Sequence, residues 1–141
     1  MAPALQITTP TLEHLPWLAA HDPDVPETRV RRCITNEEYL IALEDGEPVG
    51  LLRFSWFWGR LPYMEMIYVA PKMRRQGVGS ALNAAWEEKM AAEGATTLMT
   101  SCLSDEPEPR AWHGRNGYFE SGRLIFGKIQ AGPEVFFLKE L

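Results

Sequence analysis

Residues 63–86 read YMEMIYVAPKMRRQGVGSALNAAW, and four pieces follow one another in them. The apolar run 63–69 has strand character, Pro71 turns the chain, a basic segment leads into Gly77 and Gly79, and Val78, Leu82, Ala85 and Trp86 then recur at helical spacing. A glycine-rich turn that opens a helix presents backbone N–H groups together with the positive end of the helix dipole. Glycine also lets a ligand approach that backbone closely. The stretch is therefore a candidate phosphate site.

Its sequence narrows the kind of phosphate. A nucleotide P-loop has Lys-Ser/Thr after its last glycine, whereas Gly79 is followed by Ser80-Ala81; the dinucleotide fingerprint has a third glycine or alanine where Leu82 stands. A nucleotide-binding protein using the same loop stays as a third reading, tested by ATP or NAD binding.

At 141 residues and 16.0 kDa the chain has the length of a single domain, 1–141, large enough to bury one core. Its 45% hydrophobic and 23% charged residues are those of a globular protein rather than a disordered or fibrous one. A formal charge of −5 argues against nucleic acid as a partner and is compatible with a cationic amine. The dense basic clusters are Arg29/Arg31/Arg32, which reads as surface, and Lys72/Arg74/Arg75. The N-terminal residues lack both a basic start and an apolar run, so neither a signal peptide nor a membrane span is expected, and the expected location is cytoplasmic. Cys33 and Cys102 fit no metal-ligand spacing and are expected as core or neutral positions; no metal is called for.

Outward from the organising stretch, residues 5–8 alternate like a short strand. Thr11 can cap a short, partly irregular helix carrying Leu12, Leu15 and Leu18, with Pro16 in its first turns, and a second helix runs through Arg32. Residues 39–43 and 49–54 are β-prone runs joined across Asp45-Gly46, a hairpin signal. The second run continues to Trp58 and turns at 59–62 into the 63–69 strand, completing a three-strand meander. Trp56, Phe57 and Trp58 are core aromatics, or one of them walls an acceptor pocket.

Beyond the glycine loop, Val78, Leu82, Ala85, Trp86 and Met90 form the apolar face of a helix, with Asn83, Glu87, Glu88 and Lys89 largely opposite and Gly94 as its C-cap. Residues 96–102 read as a strand, making a βαβ unit. Pro109 begins a helix of about two turns that ends before Gly117. Runs 118–126 and 135–138 form a closing hairpin. The expected fold class is α/β (α+β), a mixed, mostly antiparallel sheet of about seven strands with about four helices.

Arg-x-x-Gly-x-Gly after a strand ending Tyr68-Val69-Ala70-Pro71 resembles the acyl-CoA pyrophosphate loop of the GNAT superfamily of N-acetyltransferases. The order of elements resembles that fold over nearly the whole chain, and residues 111–118, AWHGRNGY, resemble the family's aromatic–Tyr–x–Arg/Lys–x–Gly–Phe/Tyr helix end. Two positions depart from the pattern. His113 stands where most members carry the tyrosine thought to protonate the departing thiolate, and Arg75 replaces a frequent glycine.

The resemblance implies acetyl-CoA as acyl donor and a primary amine of a small molecule or peptide as acceptor, joined by direct attack in a ternary complex. It implies that backbone groups of Ile67, Tyr68 and Val69 hold the pantetheine arm and acetyl carbonyl, and that Arg74, Arg75, Gln76, Gly77, Val78, Gly79 and Ser80 surround the pyrophosphate. An amine must be neutral to attack, so a carboxylate able to take its proton is needed; Glu65, the only acid on its strand, is the candidate, with a solvated or sheet-bonded charge as the alternative. His113 is either the proton donor to the thiolate or an ordinary packed or surface histidine, in which case water, Tyr68 or Tyr118 serves. His14 and His21 receive no role. The rival function is a non-catalytic acyl-CoA-binding sensor or interaction module. Exposed sheet edges make a homodimer plausible; no membrane partner is expected.

Overall fold

The strand hydrogen-bonding order is β1-β2-β3-β4-β5-β7-β6, with β1 Leu5–Thr8, β2 Tyr39–Glu44, β3 Glu47–Phe57, β4 Leu61–Val69, β5 Thr97–Leu103, β6 Phe119–Leu124 and β7 Glu134–Glu140. Among the described residues four α-helices accompany them: α1 Leu15–His21, α2 Glu27–Thr35, α3 Val78–Ala92 and α4 Pro107–Arg115. The computed structural model describes residues 4–141; the first three, where the N-terminal segment read above begins, lie outside the described residues. The sheet is mixed and mostly antiparallel, with β4 and β5 the parallel pair, so the expected fold class is the observed one.

The chain forms two compact units. The first comprises residues up to Ser55 together with Met66–Lys89, and the second Trp56–Glu65 with Met90–Leu141.

In the first unit, β1 and β3 flank β2 in antiparallel register, and the β2–β3 hairpin turns on Asp45 and Gly46, with φ of 50° and 85°. Positive φ at both turn positions matches the right-handed twist of the strands, which is why the Asp-Gly pair marks it. Thr11 caps a single 3-10 turn, Leu12–His14, through a capping box with His14, and Pro16 is accommodated in the first turn of α1, where a missing N–H costs nothing. Leu15 and Leu18 of α1 and Val30, Cys33 and Ile34 of α2 pack on Tyr39, Ile41, Leu43 and Leu51. Burying this much apolar surface is the main stabilisation of the unit.

Within that core lies an ionic cluster that sequence spacing does not reveal. Arg53 Nε donates to Asp22 Oδ2 at 2.7 Å, Tyr39 Oη donates to the same oxygen at 2.6 Å, and all three side chains are buried. Burial, then the Asp22 bond, raises the Tyr39 phenol well above its ordinary range. One carboxylate thus ties the end of α1 to β2 and β3.

In the second unit, β7 lies between β5 and β6, so the expected closing hairpin is present but inserts its second strand into the sheet. Leu98, Thr100, Cys102, Val135 and Phe137 are buried on one face, onto which α4 brings His113. Helix α4 begins at Pro107, two residues before the expected Pro109; proline is tolerated throughout a first turn, so either can open the helix. Two further expectations are corrected. Phe57 and Trp58 are exposed rather than core, their rings 4.8 Å apart at the end of β3. Asn83, expected on the solvated side of α3, is buried and donates to Glu87 Oε2 at 2.9 Å; a local i,i+4 bond offsets the cost of burying its amide.

Candidate active site

From Met66 onward, the phosphate-site stretch lies in the first unit. β4 ends at Val69, Pro71–Met73 makes one 3-10 turn, residues 74–77 form a turn, and α3 starts at Val78. The first amide of α3 to bond a carbonyl one turn back is that of Ala81, which donates to the Gly77 carbonyl at 2.9 Å. The amides of Gly77, Val78, Gly79 and Ser80 precede it and have no intrahelical acceptor, as at any helix start. At Gly77 φ is +83°, and a Cβ there would meet nothing within 4 Å, so the backbone faces open space. Four donors at the positive end of a 15-residue helix, beside open space, fit a diphosphate.

Two side chains of the loop are held by backbone carbonyls just before it in the chain. Arg74 Nε donates to the Val69 carbonyl at 3.1 Å, its guanidinium 6.0 Å from the Tyr68 ring, and Gln76 Nε2 donates to the Lys72 carbonyl at 3.1 Å. Gln76 is therefore arranged to offer its backbone, while Arg74 is anchored next to β4. Arg75 is exposed with φ of +63°, a left-handed conformation that explains why glycine suits this position.

Helix α3 is held tightly against the strands. A Cβ added to Gly50 on β3 would lie 3.1 Å from the Tyr68 carbonyl oxygen, 3.1 Å from Leu82 Cδ1 and 3.2 Å from Val78 Cγ1. Ala70 N–H donates to the Val49 carbonyl at 2.8 Å. Ile67, Tyr68 and Val69 are half-buried on β4. Beside them, and missed from the sequence, the His21 ring stacks on Trp17 at 4.4 Å and lies 5.4 Å from the Tyr68 ring; its Nδ1 donates to the Trp17 carbonyl at 2.8 Å. The i,i+4 spacing of Trp17 and His21 was the available signal.

Glu65 and His113 belong to the second unit. Glu65 is exposed on β4, two residues from Tyr63 and on its face. His113 is 4% exposed, packed against Trp112, Tyr118 and Phe137. Burial drives its pKa down to about 4, opposed by a hydrogen bond with the Ser101 backbone, and Nδ1 is buried with no partner among the described residues. The pattern is that of a neutral imidazole donating its other N–H to the Ser101 carbonyl.

The acetyltransferase (GNAT) family model matches residues 7–118, more than half of the chain, and the protein belongs to that family. Among similar solved structures, Ard1 from Thermoplasma volcanium is 14% identical, with a TM-score of 0.86 over 98% of each chain. Ribosomal-protein-alanine N-acetyltransferase from Brucella melitensis is 22% identical, with a TM-score of 0.81 over 96% of this chain and 99% of that one. PaiA N-acetyltransferase from Thermoplasma acidophilum, in complex with coenzyme A, is 13% identical, with a TM-score of 0.72 over 98% and 99%. At these identities the likeness is one of fold. No curated protein matches the sequence.

Proposed function

We propose that the protein is an acetyl-CoA-dependent N-acetyltransferase that acetylates a primary amine of a small molecule or peptide by direct attack in a ternary complex. The observation that carries this reading is the start of α3, where amides without helical acceptors follow β4 and a turn whose backbone is open at Gly77. Acetyl-CoA supplies the activated acyl group when bound. The amides of residues 77–80 take the diphosphate, the Arg74 and Arg75 cations add charge, and the β4 backbone at Ile67, Tyr68 and Val69 aligns the acyl arm as an added strand would be aligned. For the Val69 carbonyl to join that pairing, Arg74 gives up the hydrogen bond it donates there.

On β4, a backbone N–H polarises the acyl carbonyl, an effect worth roughly 3 kcal/mol per donor in other enzymes. Glu65, exposed on the same strand, takes the amine proton directly or through water. His113 is better suited to holding the α4 end against β5 than to proton donation. A group with pKa near 4 is almost wholly deprotonated at neutral pH, and its remaining N–H is already engaged. The thiolate then takes its proton from water or a tyrosine.

A histidine that is neutral at pH 7, standing where most members of the family carry a tyrosine, also favours a second reading, an acyl-CoA-binding module without turnover. Amine-dependent release of free thiol from acetyl-CoA separates the two. The transferase reading expects release with at least one primary amine, a fall of tenfold or more in kcat for Glu65→Gln, and CoA binding retained. CoA binding with no thiol release across a broad panel of small-molecule and peptide amines would favour the module.

A further inference from the structure

The second unit contains a pocket of about 200 Å³ lined by Tyr63, Phe126, Ile129, Gln130 and Glu134. It lies on the sheet face opposite His113. Tyr63 pairs with Met99 and Ser101 with Phe136, which places Tyr63, Ser101 and Glu134 on one side, diagonal to one another. Ser101 Oγ donates to Glu134 Oε2 at 2.7 Å and so accepts from Tyr63 Oη at 2.5 Å, while Gln130 Nε2 donates to Glu134 Oε1 at 3.0 Å. The carboxylate is therefore fixed in place by neutral donors. Among the described residues it has no cationic partner, and two of its roughly four acceptor positions are used.

The rim is apolar. Ile129 is 88% exposed and Ile125 78%, on the connection between β6 and β7, and Phe126 approaches Phe136, which approaches Tyr63, at ring separations of 6.4 and 6.0 Å. A fixed negative charge surrounded by exposed aliphatic and aromatic surface is a constellation for a cation bearing an apolar group. The charge is felt locally, since Cys102 on the neighbouring strand has its thiol pushed up to about 11, by burial first and then by the carboxylates of Glu134 and Glu106. The volume is below the usual range for a whole ligand of drug size, and suits one short side-chain-sized group.

We propose that this pocket binds the acceptor, and that the acceptor arrives as a small alkyl- or arylalkyl-ammonium whose charged head sits against Glu134 and whose apolar part covers Phe126 and Ile129; the head gives up one proton, to Glu65 on the transferase reading, before its nitrogen attacks. The assignment of an acceptor role rests on the transferase reading above; the binding of the ammonium does not. It makes Glu134 the specificity-determining residue, with Ser101 and Gln130 positioning its carboxylate.

The test titrates hexylammonium and, separately, hexanol into the full-length protein, following the backbone amide signals of Ser101, Gln130 and Glu134 by NMR. Thermal stabilisation by CoA is measured on the same samples. Hexylammonium is expected to shift these signals saturably and at least tenfold more tightly than hexanol. Glu134→Gln should remove that preference while leaving hexanol binding unchanged, and Ile129→Ser, an exposed substitution that threatens folding least, should weaken both ligands about threefold. Equal affinity for the two ligands, or a preference for ammonium that survives Glu134→Gln, would overturn the proposal. CoA stabilisation without hexylammonium binding overturns the pocket and leaves the transferase reading standing. Hexylammonium binding without CoA stabilisation removes the transferase, and the acceptor role with it.

Discussion

Gly50 and Tyr68 approach so closely that a methyl group on Gly50 would sit 3.1 Å from the Tyr68 carbonyl oxygen. Backbone, unlike the end of a flexible side chain, does not yield cheaply. Gly50→Ala should therefore move β4 or the start of α3 and cost about 1–3 kcal/mol, the range for overpacked cores. Urea denaturation gives the loss of stability, and the accompanying prediction is a several-fold weaker affinity for CoA, because the same residues set the α3 amides. A variant of unchanged stability and affinity would show that the contact has no positioning role.

Asp22 and Arg53 form a buried pair whose partners cannot be separated without leaving a charge unsolvated. Arg53→Met or Asp22→Asn is expected to cost about 3–5 kcal/mol, and the double variant Asp22→Asn with Arg53→Met less than the sum of the two. A double-mutant cycle in urea measures the coupling; additive single effects would contradict the pairing.

His113 gives the stability a pH dependence of known sign. Its folded pKa is about 4 against about 6.5 for a free imidazole, so between those values the unfolded chain binds a proton that the folded chain does not. Its stabilising contribution is complete above pH 6.5 and is lost as pH falls towards 4, by about 3 kcal/mol in all. His113→Gln should lack this component. The quantity to measure is the difference in stability between the two proteins from pH 4 to 7; a difference that does not vary with pH would show that His113 titrates normally.

Arg75 occupies left-handed backbone without being glycine. Arg75→Gly and Arg75→Ala remove the same charge, yet only the first relieves the strain, so the glycine variant should be the more stable by about 1 kcal/mol, the reverse of the usual helix ranking of the two residues. Both should weaken CoA binding equally if the charge contributes. Calorimetric titration and thermal unfolding of the pair give both comparisons.

What the sequence disclosed was local. The β2–β3 hairpin follows from the φ demands of Asp45-Gly46, and the buried stripe of α3 from the i,i+4 recurrence of Val78, Leu82, Trp86 and Met90. The loop was legible for the same reason, its glycines and basic residues being adjacent. Features that depend on register were not legible. Asp22, Tyr39 and Arg53 meet only once β2 and β3 are paired and α1 is docked, and Ser101 faces Glu134 only because β7 pairs with β5 before β6. His113 illustrates a different limit: the motif located it on the last turn of α4, but its neutral state follows from burial against Phe137, which no spacing encodes.

Whether the start of α3 is an acyl-CoA diphosphate site is read most directly from the thermal unfolding midpoint with acetyl-CoA, CoA, ATP and NAD in parallel. A ligand that binds only the folded state raises the midpoint by mass action, by about 2.7 kcal/mol of added stability at a hundredfold excess over Kd. A shift is expected with acetyl-CoA and with CoA, and none with ATP or NAD. No shift with either CoA form at millimolar concentration, or a shift confined to ATP or NAD, would contradict an acyl-CoA site there.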